Sequence, residues 1–162
     1  MRAISNSSVL IALSSIGHLE LLRQRFPDGI EVPRAVWREV VETGQDRPGA
    51  RAVCDATWIH QAGAPAGKML DLLRADLDEG EAEAIALALG AGIRLILLDE
   101  KDARRIARRL GLTVLGTVGL LIWGRRMGFL TALRPCLDEL THQGKFRLSQ
   151  EVIQNALRAV GE

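Results

Sequence analysis

The sequence predicts an α/β fold, a mostly parallel sheet of about four or five short strands flanked by helices on both faces. Three observations predict it. Short β-compatible stretches alternate with longer helical ones along the whole chain. The run Ile93-Arg94-Leu95-Ile96-Leu97-Leu98 is apolar apart from Arg94; it is too short for an ordinary helix and reads as a strand covered on both faces. The helical stretch before it, Asp78 to Leu89, is apolar on every side from Ala84 onward, so it belongs in the interior.

The elements follow in order. Met1 to Ser5 is a short strand, and Asn6-Ser7-Ser8 caps a helix over Val9 to Ile16 that Gly17 ends. His18 to Phe26 is a second helix with Leu19, Leu21, Leu22 and Phe26 apolar, and Pro27-Asp28-Gly29 is a turn. Ile30-Glu31-Val32 is a brief strand. Pro33 suits the first turn of a helix running to about Thr43 with Val36, Trp37, Val40 and Val41 as its stripe. After a polar loop, Pro48 opens a small helix to about Ala56, Trp58-Ile59 is a candidate edge strand, and Lys68 to Arg74 is helical. Beyond the central strand, Lys101 to Gly111 is a helix with Ala103, Ile106, Ala107 and Leu110 on one face. Thr113-Val114-Leu115 is the last strand, and Gly116-Thr117 caps a helix to Met127 closed by Gly128. Pro135 opens another helix to about Gln143. Ser149 caps the final one, with Leu148 and Ile153 placed as a hydrophobic staple.

With 162 residues, 48% of them hydrophobic and 25% charged, the chain reads as one domain over 1–162, its part from about 130 to 162 a C-terminal helical extension packed on the rest. A net charge of +1 leaves no global attraction to nucleic acid, so phosphate binding needs a local patch. Tyr is absent and aromatics are 4% of residues, which argues against an aromatic base-stacking platform. Cys54 and Cys136 have no metal-ligand spacing and read as thiols of a reducing cytoplasm. No secretory signal is evident, and no stretch nears the roughly 18 apolar residues of a membrane span. The expected location is therefore the cytoplasm.

The acids carry the functional question. Asp99 and Glu100 follow the central strand, and open α/β sheets bind ligands outside the carboxyl ends of their strands. Asp99 is equally suited to cap the helix that follows. Glu81 lies three residues after Asp78, the spacing of a capping box, yet it shares a face with Ile85 and Ala88 at the rim of the core. Glu83 is a less favoured substitute. Glu39 falls outside the apolar stripe of its helix, so periodicity alone makes it a solvated residue. Asn6 offers a carbonyl oxygen but neither charge nor basicity. Lys101, Arg104, Arg105, Arg108 and Arg109 lie largely opposite the apolar face of their helix, either as a solvated surface or as a ridge that contacts phosphates. The three histidines are scattered, and there is no P-loop, GxSxG or dinucleotide fingerprint.

A series of blocks then resembles the PIN-domain superfamily, in its branch of small prokaryotic, toxin-like proteins. These are Ser5 to Leu13, Val32 to Val40, Gly80 to Ala88, Leu97-Leu98-Asp99-Glu100 with Ala103-Arg104, and Leu110 to Gly119. Their order and spacing, more than any one motif, carry the resemblance, which spans nearly the whole chain. It implies an acidic pocket at the carboxyl ends of a parallel sheet, binding Mg²⁺ or Mn²⁺ and cleaving RNA. Glu39, Glu81 and Asp99 match the family's acids, with Glu100 an alternative one residue on. Ser8 matches its small hydroxyl residue. Asn6 departs from the pattern, which usually has Asp there.

The resemblance therefore implies a metal-dependent ribonuclease, with Glu39, Glu81 and Asp99 catalytic, these three and Glu100 as metal ligands, and Asn6 and Ser8 in support. The partners it implies are an RNA substrate, docked by Lys101, Arg104, Arg105 and Arg108, a small cognate antitoxin and a second copy of the chain. The stripe Val152, Ile153, Ala156, Leu157 and Val160 is a candidate surface for that dimer, although such a stripe is more often core. Asn6 motivates the alternative, a weakened module that binds RNA or protein without cleaving. A third reading, a phosphohydrolase with Asp99 as nucleophile, is weaker, because the usual nucleophile strand lies near the N-terminus, where this chain has Asn6.

Overall fold

The computed structural model describes residues 1–143 and 146–162. Five strands, β1 (Ala3–Ser5), β2 (Ile30–Pro33), β3 (Ile59–Ala62), β4 (Leu95–Leu97) and β5 (Thr113–Leu115), form one sheet in the order β3-β2-β1-β4-β5. Every neighbouring pair is parallel. In the centre Ile4 pairs with Ile96 and Ser5 with Leu97. The chain builds outward from β1 to β3 on one side, then returns to β4 and β5 on the other. The order therefore reverses between β1 and β4, which opens a crevice beyond their carboxyl ends.

Strand alternation divides the core in two. Ala3 and Leu97 point into a cluster with Leu10, Leu13, Leu22, Leu120 and Leu137. Ile4, Ile96 and Leu98 point the other way, onto Ala82, Ile85, Ala88, Ala103 and Ala107. The first face is covered by α1 (Ser7–Ser15), α2 (Glu20–Arg25), α8 (Thr117–Arg126), α9 (Arg134–His142) and α10 (Gln150–Ala159). The second is covered by α5 (Lys68–Asp76), α6 (Glu79–Ala91) and α7 (Lys101–Arg109). α6 is buried on nearly every side from Gly80 to Ala88, which is why its sequence shows no apolar stripe.

Several boundaries differ from the sequence expectation. Pro33 is the last residue of β2 and the N-cap of α3 (Arg34–Trp37), not a helical residue. The expected helix to Thr43 changes at Arg38 into a π-helical turn, Arg38–Glu42, in which the Thr43 N–H reaches back five residues to the Arg38 carbonyl at 2.8 Å. Val36 and Val40 stay buried across that change. β4 is shorter than the apolar run that foretold it, although the Leu98 N–H still bonds the Leu115 carbonyl at 3.1 Å. α4 (Pro48–Asp55) and the edge position of β3 are as expected, but β3 begins at Ile59 and runs to Ala62, leaving Trp58 outside it.

The C-terminal helices pack into the first core through Leu133, Leu137, Leu140, Ala156 and Leu157. In the stripe considered for dimerisation, Ala156 and Leu157 are buried, Ile153 and Val160 are half-buried, and Val152 alone is exposed. The stripe is mostly core. The Glu162 carboxylate ties the end of the chain to the start of α9, accepting from the N–H groups of Leu133 at 2.8 Å and Arg134 at 3.4 Å, and it pairs with Arg125 at 3.2 Å. Among the described residues no helix is long and apolar enough to cross a membrane.

Candidate active site

Asn6 and Asp99 stand at the crevice because β1 and β4 deliver them there. Asn6 is buried, and its N–H bonds the Leu97 carbonyl at 3.2 Å. Its Oδ1 accepts from the Val9 N–H at 3.3 Å and so caps α1. Its side-chain oxygen is committed to the helix it starts.

Glu81 closes a complete capping box. Its N–H donates to Asp78 Oδ1 at 2.8 Å, and its Oε2 accepts a longer bond, 3.4 Å, from the Asp78 N–H. The residue is only 7% exposed. Its carboxyl is pushed up to about 7, chiefly by burial and then by the negative charge of Asp78. The Asp78 N–H opposes the rise, while Glu100 and Glu39 add to it. The negative charges of Glu39, in the π turn, and Glu100, before α7, are thus near enough to Glu81 to be felt there.

Glu39 is exposed, as its position outside the stripe implied. Its Oε2 nevertheless accepts a 2.7 Å bond from the Ser7 hydroxyl, so it is held at the crevice. Nearby, a Cβ on Gly80 would meet Val36 Cγ2 at 3.3 Å and lie 3.8 Å from the same carboxylate oxygen. Ser8 lines the neighbouring groove, and Ser7 is the hydroxyl that binds an acid.

Asp99 does not cap the helix that follows it. The N-cap of α7 is Glu100, whose side chain makes no capping bond. Asp99 reaches across to the start of α8 instead: Oδ1 accepts from the Thr117 N–H at 2.8 Å and Oδ2 from the Thr117 hydroxyl at 2.7 Å. Burial raises its pKa, opposed by the two Thr117 bonds and by the charge of Arg104. Glycine at position 116 permits this approach, since a Cβ there would sit 2.9 Å from Asp99 Oδ1. Glu83 is diverted from the site, its Oε2 accepting the Ala35 N–H at the start of α3 at 3.0 Å.

The donors are all oxygens, and among the described residues Glu39, Glu81, Asp99 and Glu100 make no ion pair. Uncompensated carboxylates of this kind suit a hard divalent cation. Among the described residues no three of His, Cys, Asp or Glu are gathered into a metal-holding group. What the residues offer is oxygen ligands alone, the kind that a hard divalent cation takes.

Beside the acids runs a groove of about 1070 Å³ that Asp99, Glu100 and Arg104 help to line. Of the α7 cations, Arg104 alone faces it. Lys101, Arg105 and Arg108 are exposed and line none of it, and Arg105 is paired with Asp102 at 3.4 Å. The groove's other guanidiniums, Arg47 and Arg147, come from the segments before α4 and α10. Sequence reasoning missed both, as well as Ser7 and Thr117. The Gly116-Thr117 step after β5 was a usable signal for Thr117, whereas nothing local marks Arg47 or Arg147.

A family model described as a PIN domain matches residues 2–162. No curated protein and no solved structure matches the chain.

Proposed function

The chain belongs to the PIN-domain family, and from that premise we propose that it is a divalent-metal-dependent ribonuclease, the toxin of a toxin–antitoxin pair held in check by a small cognate partner. The observation that carries this reading is the placement of Glu39, held by the Ser7 hydroxyl, with the buried Glu81 and the half-buried, Thr117-bound Asp99 at the sheet's switch point. Glu39, Glu81, Asp99 and Glu100 are the residues that would hold Mg²⁺ or Mn²⁺, directly or through water. The cation, when bound, supplies a Lewis acid for the phosphoryl oxygens and lowers the pKa of a bound water. Asn6 and Ser7 preset the crevice by capping α1 and holding Glu39. Thr117 fixes the orientation of Asp99. Arg104 stands on the groove side of Asp99, where a substrate phosphate would approach. The site of action is the cytoplasm.

The test pairs Mn²⁺ calorimetry with cleavage of an RNA pool, for the native chain and a Glu81→Ala, Asp99→Ala double variant. Binding and cleavage by the native chain alone are expected. Cleavage that persists undiminished in Glu81→Ala would count decisively against the assignment.

Two observations favour a second reading, a module that binds RNA or protein without cleaving. Asn6 brings no charge and spends its oxygen on α1, and both oxygens of Asp99 already have protein donors. On that reading neither Mn²⁺ nor cleavage is seen, and binding survives loss of the acids.

A further inference from the structure

The ribonuclease reading accounts for the acids but leaves most of the groove beside them without a role. Beyond Asp99, Glu100 and Arg104 much of its wall is aliphatic, Ile11, Val118 and Leu148 included, with Ser8, Ser15 and Gln143 as uncharged polar residues. Phe146 is the one aromatic side chain among its lining residues. The ring is half-buried and packed against the first core cluster, so its position is held from behind. Arg47 and Arg147 line the same groove from two other segments. Among the described residues neither they nor Arg104 makes an ion pair or a side-chain hydrogen bond.

We propose that this groove is a subsite for an unpaired stretch of RNA next to the scissile phosphate, with one base stacked on Phe146 and the backbone held by Arg47 and Arg147. The inference rests on the ribonuclease reading for the class of ligand and adds to it the residues that select the strand. Charge complementarity supports that occupant: guanidiniums from three elements suit a phosphate chain, and a flat apolar base suits a ring set in an aliphatic wall. The base must be unpaired, because in an A-form duplex its face is stacked on its neighbours. The same features make Phe146 a determinant of specificity and not a catalytic residue.

The test is fluorescence anisotropy on the full chain in EDTA, where the metal-dependent chemistry is off and binding is read alone. The probes are a labelled oligouridylate and oligoadenylate of about ten nucleotides, and each annealed to its complement. The native chain is expected to bind the single strands more tightly than the duplexes. Phe146→Ala should weaken single-strand binding about tenfold, Phe146→Trp should restore it, and duplex binding should not respond to either. Phe146→Leu keeps apolar bulk without a stacking face. It should weaken binding as Ala does at an unchanged melting temperature, which separates stacking from support of the fold. An Arg47→Ala, Arg147→Ala double variant should flatten the slope of log affinity against log salt by about 1.4.

The proposal is overturned if the native chain binds neither oligonucleotide, if duplex binds as well as single strand, or if Phe146→Leu binds like the native chain. Competition for the groove by an apolar peptide, with no response to RNA, would likewise replace it by a protein-docking role. Its failure is distinct from that of the ribonuclease reading. RNA cleavage without dependence on Phe146 would refute only the subsite, and Phe146-dependent binding without cleavage would refute only the nuclease.

Discussion

Replacing Glu81 by glutamine should make the metal-free protein more stable while removing its proposed activity. The carboxyl of Glu81 is raised from 4.5 to about 7 by burial and by neighbouring negative charge. That difference corresponds to about 3 kcal/mol of strain when the group is ionised in the fold. The sign follows from proton binding. Below the ordinary carboxyl value both folded and unfolded chains carry the proton, and the group contributes nothing. Between about 4.5 and 7 the unfolded chain gives up its proton first, so stability falls as pH rises, and above about 7 the full cost is present.

Glutamine carries no charge and can still accept the Asp78 N–H, so the capping box survives. In EDTA the Glu81→Gln variant should match the native chain near pH 4 and melt roughly 6–12 °C above it near pH 8, given about 2–4 °C per kcal/mol at this chain length. Thermal melts across that range, followed by circular dichroism, read the effect. Mn²⁺ should then stabilise the native chain and not the variant. A variant no more stable than the native chain near pH 8, or one equally displaced at every pH, would refute the reasoning, because either result removes the ionised, crowded carboxylate from the account.

Three further outcomes are expected. Thr117→Val keeps the backbone bond to Asp99 but removes the hydroxyl donor to Oδ2; it should cost about 1–3 kcal/mol in urea denaturation, and an unchanged midpoint would show that bond to be dispensable. Asn6→Asp retains the cap on α1, since the two residues cap equally well; it should tighten Mn²⁺ about tenfold by calorimetry, and no gain would mean that position 6 does not face the metal. Glu162 has its pKa lowered by the Leu133 N–H, with help from the Arg134 N–H and Arg125. Its stabilising effect is present above the ordinary carboxyl value and is lost as pH falls through the depressed one. Glu162→Gln should therefore melt below the native chain at neutral pH, and the two curves should converge in acid; a constant gap would assign the role to something other than charge.

The sheet was legible because its signals are local. The apolar run Ile93 to Leu98 read as a covered strand, of which Leu95–Leu97 forms β4, and the all-apolar α6 read as interior. The capping box of Asp78 and Glu81 was equally legible, since it spans three residues. Glu39 was harder. Periodicity made it a surface residue, and by exposure it is one; its place at the crevice depends on Ser7, which lies 32 positions away.

What the sequence determined by itself is the succession of strands and helices along the chain, the caps at Asn6, Asp78 and Ser149, and the identity of the acids available to a site. What only the tertiary structure decided is where those acids spend their hydrogen bonds. Asp99 suited a cap on α7 and instead binds Thr117 across the β4–β5 edge. Glu83, a candidate ligand, is taken by the Ala35 N–H 48 positions away. Arg47 and Arg147 reach one groove from opposite parts of the chain. The physical reason is common to all of them. Backbone conformation and capping are settled within a few residues, whereas the field at a carboxylate comes from whatever the fold brings within several ångströms, and sequence separation carries no record of that distance.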